Sequence, residues 1–214
     1  MDKLQITVNT FDKYAQQYQD KYMAHGPYVE TYALLSGLLG EHDRVLDVGC
    51  GPGNICKYLL TEKPGLQIEG IDLSRQMIDL ARANNPTAVF EIADSRNILS
   101  LGKTYDAIVA GFCIPYLAKQ EVQQLIVDAR AMLSDAGVFY LSMMEDSYEK
   151  SRYLVKSQAK NEVDKVYTYY YEEAFLVAQL ESAGFEILNL ERKTFKADGD
   201  AVAAVDLFIY ARVA

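Results

Sequence analysis

The sequence predicts an α/β protein: a doubly wound, seven-stranded mixed sheet between helices, with a C-terminal antiparallel hairpin and a helical N-terminal segment. Three observations predict it. Short apolar runs alternate with helical segments between residues 44 and 144, the pattern of parallel strands covered on both faces. A glycine loop, "DVGCGPGN" (Asp47 to Asn54), separates the first of these runs from the helix that follows. The last two strands have no helix between them, so they pair antiparallel.

Ahead of the sheet lies a helical pattern of about forty residues, in which Phe11, Tyr14, Tyr18 and Tyr22 line one stripe and "VETYALLSGLLG" makes a second helix. Such a stripe serves either as core packing or as a lid over a ligand. The first strand is Arg44–Gly49 and its helix Ile55–Lys63, stopped by Pro64-Gly65. The second strand is Gln67–Asp72, and Ser74 stands where a helix N-cap belongs, ahead of "RQMIDLARANN". Ala88–Ile92 and Tyr105–Gly111 are the third and fourth strands. Val122, Leu125, Ile126, Ala129 and Leu133 recur at helical spacing before a fifth strand, Gly137–Met144. The rhythm then breaks into a polar, Tyr-rich stretch, where alternation in "KVYTYYY" suggests a short strand outside the main sheet. "EEAFLVAQLESAGF" reads as a helix with Gly184 at the left-handed C′ position and Phe185 packing behind it. Strands Glu186–Arg192 and Val205–Ala211 close the sheet.

Bulk composition excludes several classes. At 214 residues, half of them apolar and 24% charged, the chain suits a single domain, 1–214. A net charge of −9 argues against a nucleic-acid partner, since phosphate neutralisation needs clustered Lys and Arg. Cys50, Cys56 and Cys113 are odd in number and lack paired spacing, which fits a reduced compartment and no metal site. With no signal peptide and no apolar run long enough for a span, the expectation is a cytoplasmic protein with no membrane partner.

The glycine loop carries the functional signal. Between a parallel strand and a helix, it brings backbone N–H groups and a helix N-terminus to the carboxyl end of the sheet, where open α/β sheets bind ligands. Gly49, Gly51 and Gly53 permit positive φ and close approach. Asp47, at the end of an apolar strand, can fix the loop's N–H groups or meet a cationic amine through water. Asp72 ends the second strand about two dozen residues on, where a ribose diol is held in such folds. Asp94 ends the third strand, placed for an exocyclic adenine amine. Any one of these acids alone could be a cap or a turn. Three at successive strand ends beside one glycine loop point to a nucleoside.

"VLDVGCGPGN", "GIDLS", "IADS" and the terminal hairpin resemble the class I S-adenosylmethionine-dependent methyltransferases, in particular their small-molecule branch, and "FDKYAQQYQ" is similar to that branch's opening helix. The resemblance implies a Rossmann-like methyltransferase fold with S-adenosylmethionine as cofactor. It implies that Gly49, Cys50 and Gly51 face the methionine portion, Asp72 the ribose, and Asp94 and Ser95 the adenine. Leu73 and Met77 would pack on the base, Phe112 would lie beside the sulfonium, and Tyr14 or Tyr18 would close over the amino-acid end. It also implies that residues 1–42 form a helical lid and 145–170 an insertion covering the substrate, bearing Arg152, Lys156, Tyr167, Tyr169 and Tyr170. A nicotinamide-dependent dehydrogenase fits less well, because its third glycine comes later and it lacks the closing hairpin.

The expected activity is methyl transfer to an O, N or C atom of a small molecule, by a monomer or homodimer; the alternative is a non-catalytic cofactor-binding partner or sensor. "GFCIPYL" at the fourth strand's exit is not the Asp/Asn-Pro-Pro-aromatic signature used for amino groups of bases or glutamine, and Pro115 there is expected to start the next helix. His25, between the N-terminal helices, is the one weak catalytic candidate; His42 lies at the far end of the sheet and is read as structural.

Overall fold

The structure, a computed structural model, describes residues 2–24, 26–159, 162–195 and 204–214. Its main sheet has seven strands in the order β3-β2-β1-β4-β5-β9-β8. The strands are β1 (Arg44–Val48), β2 (Gln67–Asp72), β3 (Val89–Ile92), β4 (Tyr105–Gly111), β5 (Leu133–Glu145), β8 (Phe185–Phe195) and β9 (Ala204–Val213). The first five are parallel, and β9 inserts antiparallel between β5 and β8. The expected architecture is met, including the closing hairpin.

Alternation along the strands sets up two cores, because successive side chains leave a sheet on opposite faces. Leu46, Ile108, Phe139 and Leu207 go to one face and pack with α6 (Lys119–Met132) and α7 (Glu173–Ser182). Val45, Val109, Tyr140 and Phe208 go to the other, against α3 (Val29–Leu38), α4 (Asn54–Glu62) and α5 (Arg75–Asn84). Ser74 caps α5 as expected, its Oγ accepting from Met77 N at 3.1 Å, a contribution of about 1 kcal/mol. Gly184 takes φ +87° after α7, and Phe185 packs on Phe139 with ring centroids 5.6 Å apart.

Two expectations need correction. The N-terminal stripe is not one helix: α1 (Lys3–Lys13) and α2 (Ala15–Tyr22) break at Tyr14, with φ −108° and ψ 18°. The break lets the two helices serve different neighbours. Thr10 Oγ1 of α1 donates to Lys165 O at 2.8 Å, and Thr7 Oγ1 accepts from Tyr167 N at 3.0 Å. On α2, Gln19 Oε1 accepts from Asn84 Nδ2 of α5 at 2.7 Å. The short strand expected outside the main sheet is present: "KVYTYYY" begins in β7 (Glu162–Thr168), which pairs with β6 (Arg152–Ala159) in a hairpin of its own. The strand ends at Thr168, yet Tyr167 and Tyr169 do share a side, with ring centroids 4.7 Å apart. Secondly, Pro115 does not start the next helix: it sits in a separate 3-10 turn, Ile114–Tyr116, and α6 begins only at Lys119. No helix of the described residues is long and apolar enough to cross a membrane.

Candidate active site

The glycine loop leaves β1 with Gly49, Gly51 and Gly53 at φ +69°, +54° and +77°, a run that side chains with a Cβ rarely adopt. At Gly49 even a methyl group would lie 2.9 Å from Cys113 Sγ. The loop is fastened to β2. Gly49 N and Cys50 N both donate to Ile71 O, at 2.8 and 2.9 Å, and Gly51 N donates to Asp72 Oδ2 at 3.0 Å. Asp72 Oδ1 accepts from Ser74 N at 2.8 Å, so one carboxylate ties the loop to the start of α5. A carboxylate has about four lone-pair directions, and the backbone N–H groups of Gly51, Ser74 and Leu73 do not use them all. Burial pushes the Asp72 carboxyl up, against the pull of those backbone hydrogen bonds.

Asp47 plays a different part from fixing the loop, whose N–H groups are already held by β2. It is buried, and Cys56 Sγ donates to its Oδ2 at 3.1 Å. Burial, opposed by that thiol and reinforced by the Asp72 charge, pushes its carboxyl up to about 7. An acid in that state gains from a nearby cation.

Two adjoining cavities open at this end of the sheet. A narrow slot of about 90 Å³ is lined by Gly49, Gly51, Asp72, Leu73, Met77, Ser95 and Phe112 among others, with Leu4, Thr7, Val8 and Phe11 of α1 on its outer wall. A chamber of about 410 Å³ is lined by Asp47, Cys50, Tyr14, Tyr18, Lys156 and Asp206 among others. The two share Phe11, Tyr18, Gly49, Gly51, Gly111, Phe112 and Tyr116. Their junction thus lies at the glycine loop and the end of β4. Phe112 there has φ +53°, a left-handed conformation that costs a non-glycine residue about 1 kcal/mol or more. Ser142 holds it, its carbonyl and hydroxyl oxygens accepting from Phe112 N at 3.0 and 3.1 Å.

Of the sequence-derived site residues, Asp47, Gly49, Cys50, Gly51, Asp72, Leu73, Met77, Ser95, Phe112, Tyr14 and Tyr18 all border one cavity or both. Asp94 does not border either. Its carboxylate is forked by Arg96, with Nε at 3.0 Å and Nη2 at 2.7 Å, and caps the following turn through Arg96 N at 2.9 Å. Burial raises the acid, but the Arg96 hydrogen bonds outweigh it and hold Asp94 below its ordinary range. His25 lies outside the described residues. Of the insertion's candidates Lys156 alone lines the chamber, while Tyr167 turns to Lys3, 3.7 Å from its ring centroid.

Sequence reasoning missed Cys113, Tyr116, Tyr28 and Asp206. The first two were in plain view in "GFCIPYL", where Phe112 alone was read as a site residue. Tyr28 and Asp206 meet across 178 positions, Tyr28 Oη donating to Asp206 Oδ2 at 2.8 Å, and no local signal marks such a pair.

A methyltransferase-domain family model matches residues 14–190, and the chain belongs to that family. Among curated proteins it is similar to trans-aconitate 2-methyltransferase of Variovorax paradoxus, 32% identical over 121 residues, covering 56% of this chain and 46% of that protein. A trans-aconitate 2-methyltransferase of Escherichia coli (strain UTI89 / UPEC) is 32% identical over 133 residues, covering 62% and 51%. The matches thus span about half the length of these relatives. In fold, the chain is similar to magnesium protoporphyrin IX methyltransferase from Synechocystis PCC 6803 with bound SAH, at TM-score 0.73 and 16% identity, covering 100% of each chain. It is likewise similar to a SAM-dependent methyltransferase from Methanosarcina mazei, at TM-score 0.69 and 18% identity, covering 84% of this chain and 96% of that one.

Proposed function

We propose that this protein transfers a methyl group from S-adenosylmethionine to a small molecule by in-line displacement. The observation that carries the reading is the slot-and-chamber pair meeting at the glycine loop. A slot edged by Asp72, Leu73, Met77 and Ser95 suits a nucleoside, with Asp72 holding ribose hydroxyls through its free lone pairs and Leu73 and Met77 on the base. The chamber side of the loop, with Asp47 and Tyr18, suits the cationic amino-acid end. When bound, the cofactor supplies an electrophilic methyl group on a sulfonium.

What this chain's own residues do is position. Left-handed glycines let the backbone approach the ligand, and Phe112 is held where the two cavities join. The aromatic residues of α1 and α2 wall off water, the role expected of residues 1–42 as a lid. Aligning acceptor and methyl group can contribute on the order of 7–11 kcal/mol at the limit. A separate chamber beside the slot favours catalysis over a binding-only role. The likeness to trans-aconitate 2-methyltransferases supports a small-molecule acceptor. Asp94 enters this reading as a support for the slot, between the lining residues Ala93 and Ser95, rather than as a ligand.

Calorimetric titration with S-adenosylmethionine, S-adenosylhomocysteine and NAD, on wild type and Asp72→Ala, tests the proposal. Saturable binding of both sulfur compounds is expected, weakened by about 1–3 kcal/mol in Asp72→Ala, with none for NAD. Binding of NAD alone, or of none of the three, overturns the reading.

A further inference from the structure

Within that chamber lies a buried acid that the proposed cofactor contacts leave unused. Asp206, on β9, is only 4% exposed, and among the described residues its donor is the Tyr28 hydroxyl, at 2.8 Å. Cross-strand neighbours set its surroundings. Met144 of β5 stands beside it in register and also lines the chamber. Lys193 of β8 is its other register partner, but that ammonium is engaged by Glu30 Oε2 at 2.6 Å. Across the chamber the charged groups are Asp47, Lys21 and Lys156, with the phenols of Tyr18, Tyr22 and Tyr32. A carboxylate so enclosed, with one neutral donor and no ion pair among the described residues, is costly unless a ligand completes its hydrogen bonding.

Its position is close to the junction. The Tyr28 ring lies 5.2 Å from that of Phe112, whose strained backbone sits where slot and chamber meet. The walls around it are aromatic: Tyr18, Tyr22, Tyr28, Tyr32, Phe112 and Tyr116 all line the chamber, which suits a flat, ring-bearing ligand.

We propose that Asp206, oriented by Tyr28, is the catalytic base, and that the acceptor is a ring-borne hydroxyl. The inference rests on the methyltransferase reading above. A neutral amine carries its nucleophilic lone pair already, whereas a hydroxyl must lose its proton as it attacks. The oxygen lone pair forms the bond to the methyl carbon, and the carbon–sulfur bond breaks with its electrons remaining on sulfur. The hydroxyl proton passes to Asp206 and then to water. Burial raises the Asp206 carboxyl, against the pull of the Tyr28 hydrogen bond, which brings the base closer to the pH at which it works.

The test uses the whole protein saturated with S-adenosylhomocysteine and titrated calorimetrically with 4-methylphenol and with 4-methylanisole, which lacks the donor. Preference for the phenol by about tenfold or more is expected at alkaline pH, from a charge-assisted hydrogen bond. It fades as pH falls and Asp206 protonates. Asp206→Asn makes the preference small and independent of pH. Tyr28→Phe removes a hydrogen bond to the ionised acid, so the preference fades at a higher pH than in wild type. Equal binding of the two probes, saturable binding of neither, or a preference that ignores both substitutions overturns the proposal. The S-adenosylhomocysteine titration separates the two readings: its failure overturns the methyltransferase reading, whereas its success without a phenol preference overturns only this one.

Discussion

Asp47→Asn is expected to make the ligand-free protein more stable and a poorer binder of S-adenosylmethionine. Asp47 is 2% exposed, and its carboxyl is pushed from 3.8 to about 7, first by burial and then by Asp72, despite the Cys56 thiol. A folded-state value above the unfolded one means that stability present at low pH is lost as pH rises through the folded value. At 1.36 kcal/mol for each tenfold change in proton affinity, ionising Asp47 at alkaline pH costs the fold about 4 kcal/mol at most. Asparagine carries no charge, and its amide oxygen still accepts from Cys56. The variant's advantage is therefore expected to grow by about 2 kcal/mol between roughly pH 5.5 and pH 8.5. Urea unfolding of both proteins at the two pH values, without cofactor, measures this. Titration with S-adenosylmethionine then gives the functional half: the wild type binds more tightly as pH rises through about 7, and the variant does not. A stability gain independent of pH, or unchanged cofactor affinity, would refute the reasoning.

Gly49→Ala forces a Cβ at φ +69° to within 2.9 Å of Cys113 Sγ, so a loss of about 1–3 kcal/mol in stability is expected, with cofactor affinity falling further than stability alone explains. Thr7→Val strips the acceptor from Tyr167 N; chemical unfolding should show about 1–3 kcal/mol lost, and hydrogen exchange at Tyr167 should accelerate. Asp94→Asn, next to the slot residues Ala93 and Ser95 but with its carboxylate held by Arg96, is expected to weaken S-adenosylmethionine binding less than Asp72→Asn, and equal losses by calorimetry would return Asp94 to the slot.

Much of the frame was legible because its signals are local. The exact span of β2 and β4, the Ser74 cap and the left-handed Gly184 each follow from a few neighbouring residues, and the glycine loop from five. The break at Tyr14 was not legible, since helical periodicity continues through it and only the separate attachments of α1 and α2 require it. Strand β6 was hidden because "RYLVKSQA" alternates weakly and is paired by a neighbour, not by the main sheet. The surroundings of Asp94 were hidden for a related reason. Its position at a strand end was right, but the direction of its carboxylate was set by Arg96, which a strand-end rule does not see.

The sequence by itself determined the alternation of strands and helices, the glycine loop with its acidic neighbours, and the resemblance those motifs carry, because periodicity and backbone freedom are properties of short segments. Only the tertiary structure decided that α1 leans on the β6–β7 hairpin, that slot and chamber meet at Phe112, and that Tyr28 reaches Asp206. Those contacts join residues far apart in the chain. Their geometry follows from how the sheet twists and packs its layers, which local patterns do not encode.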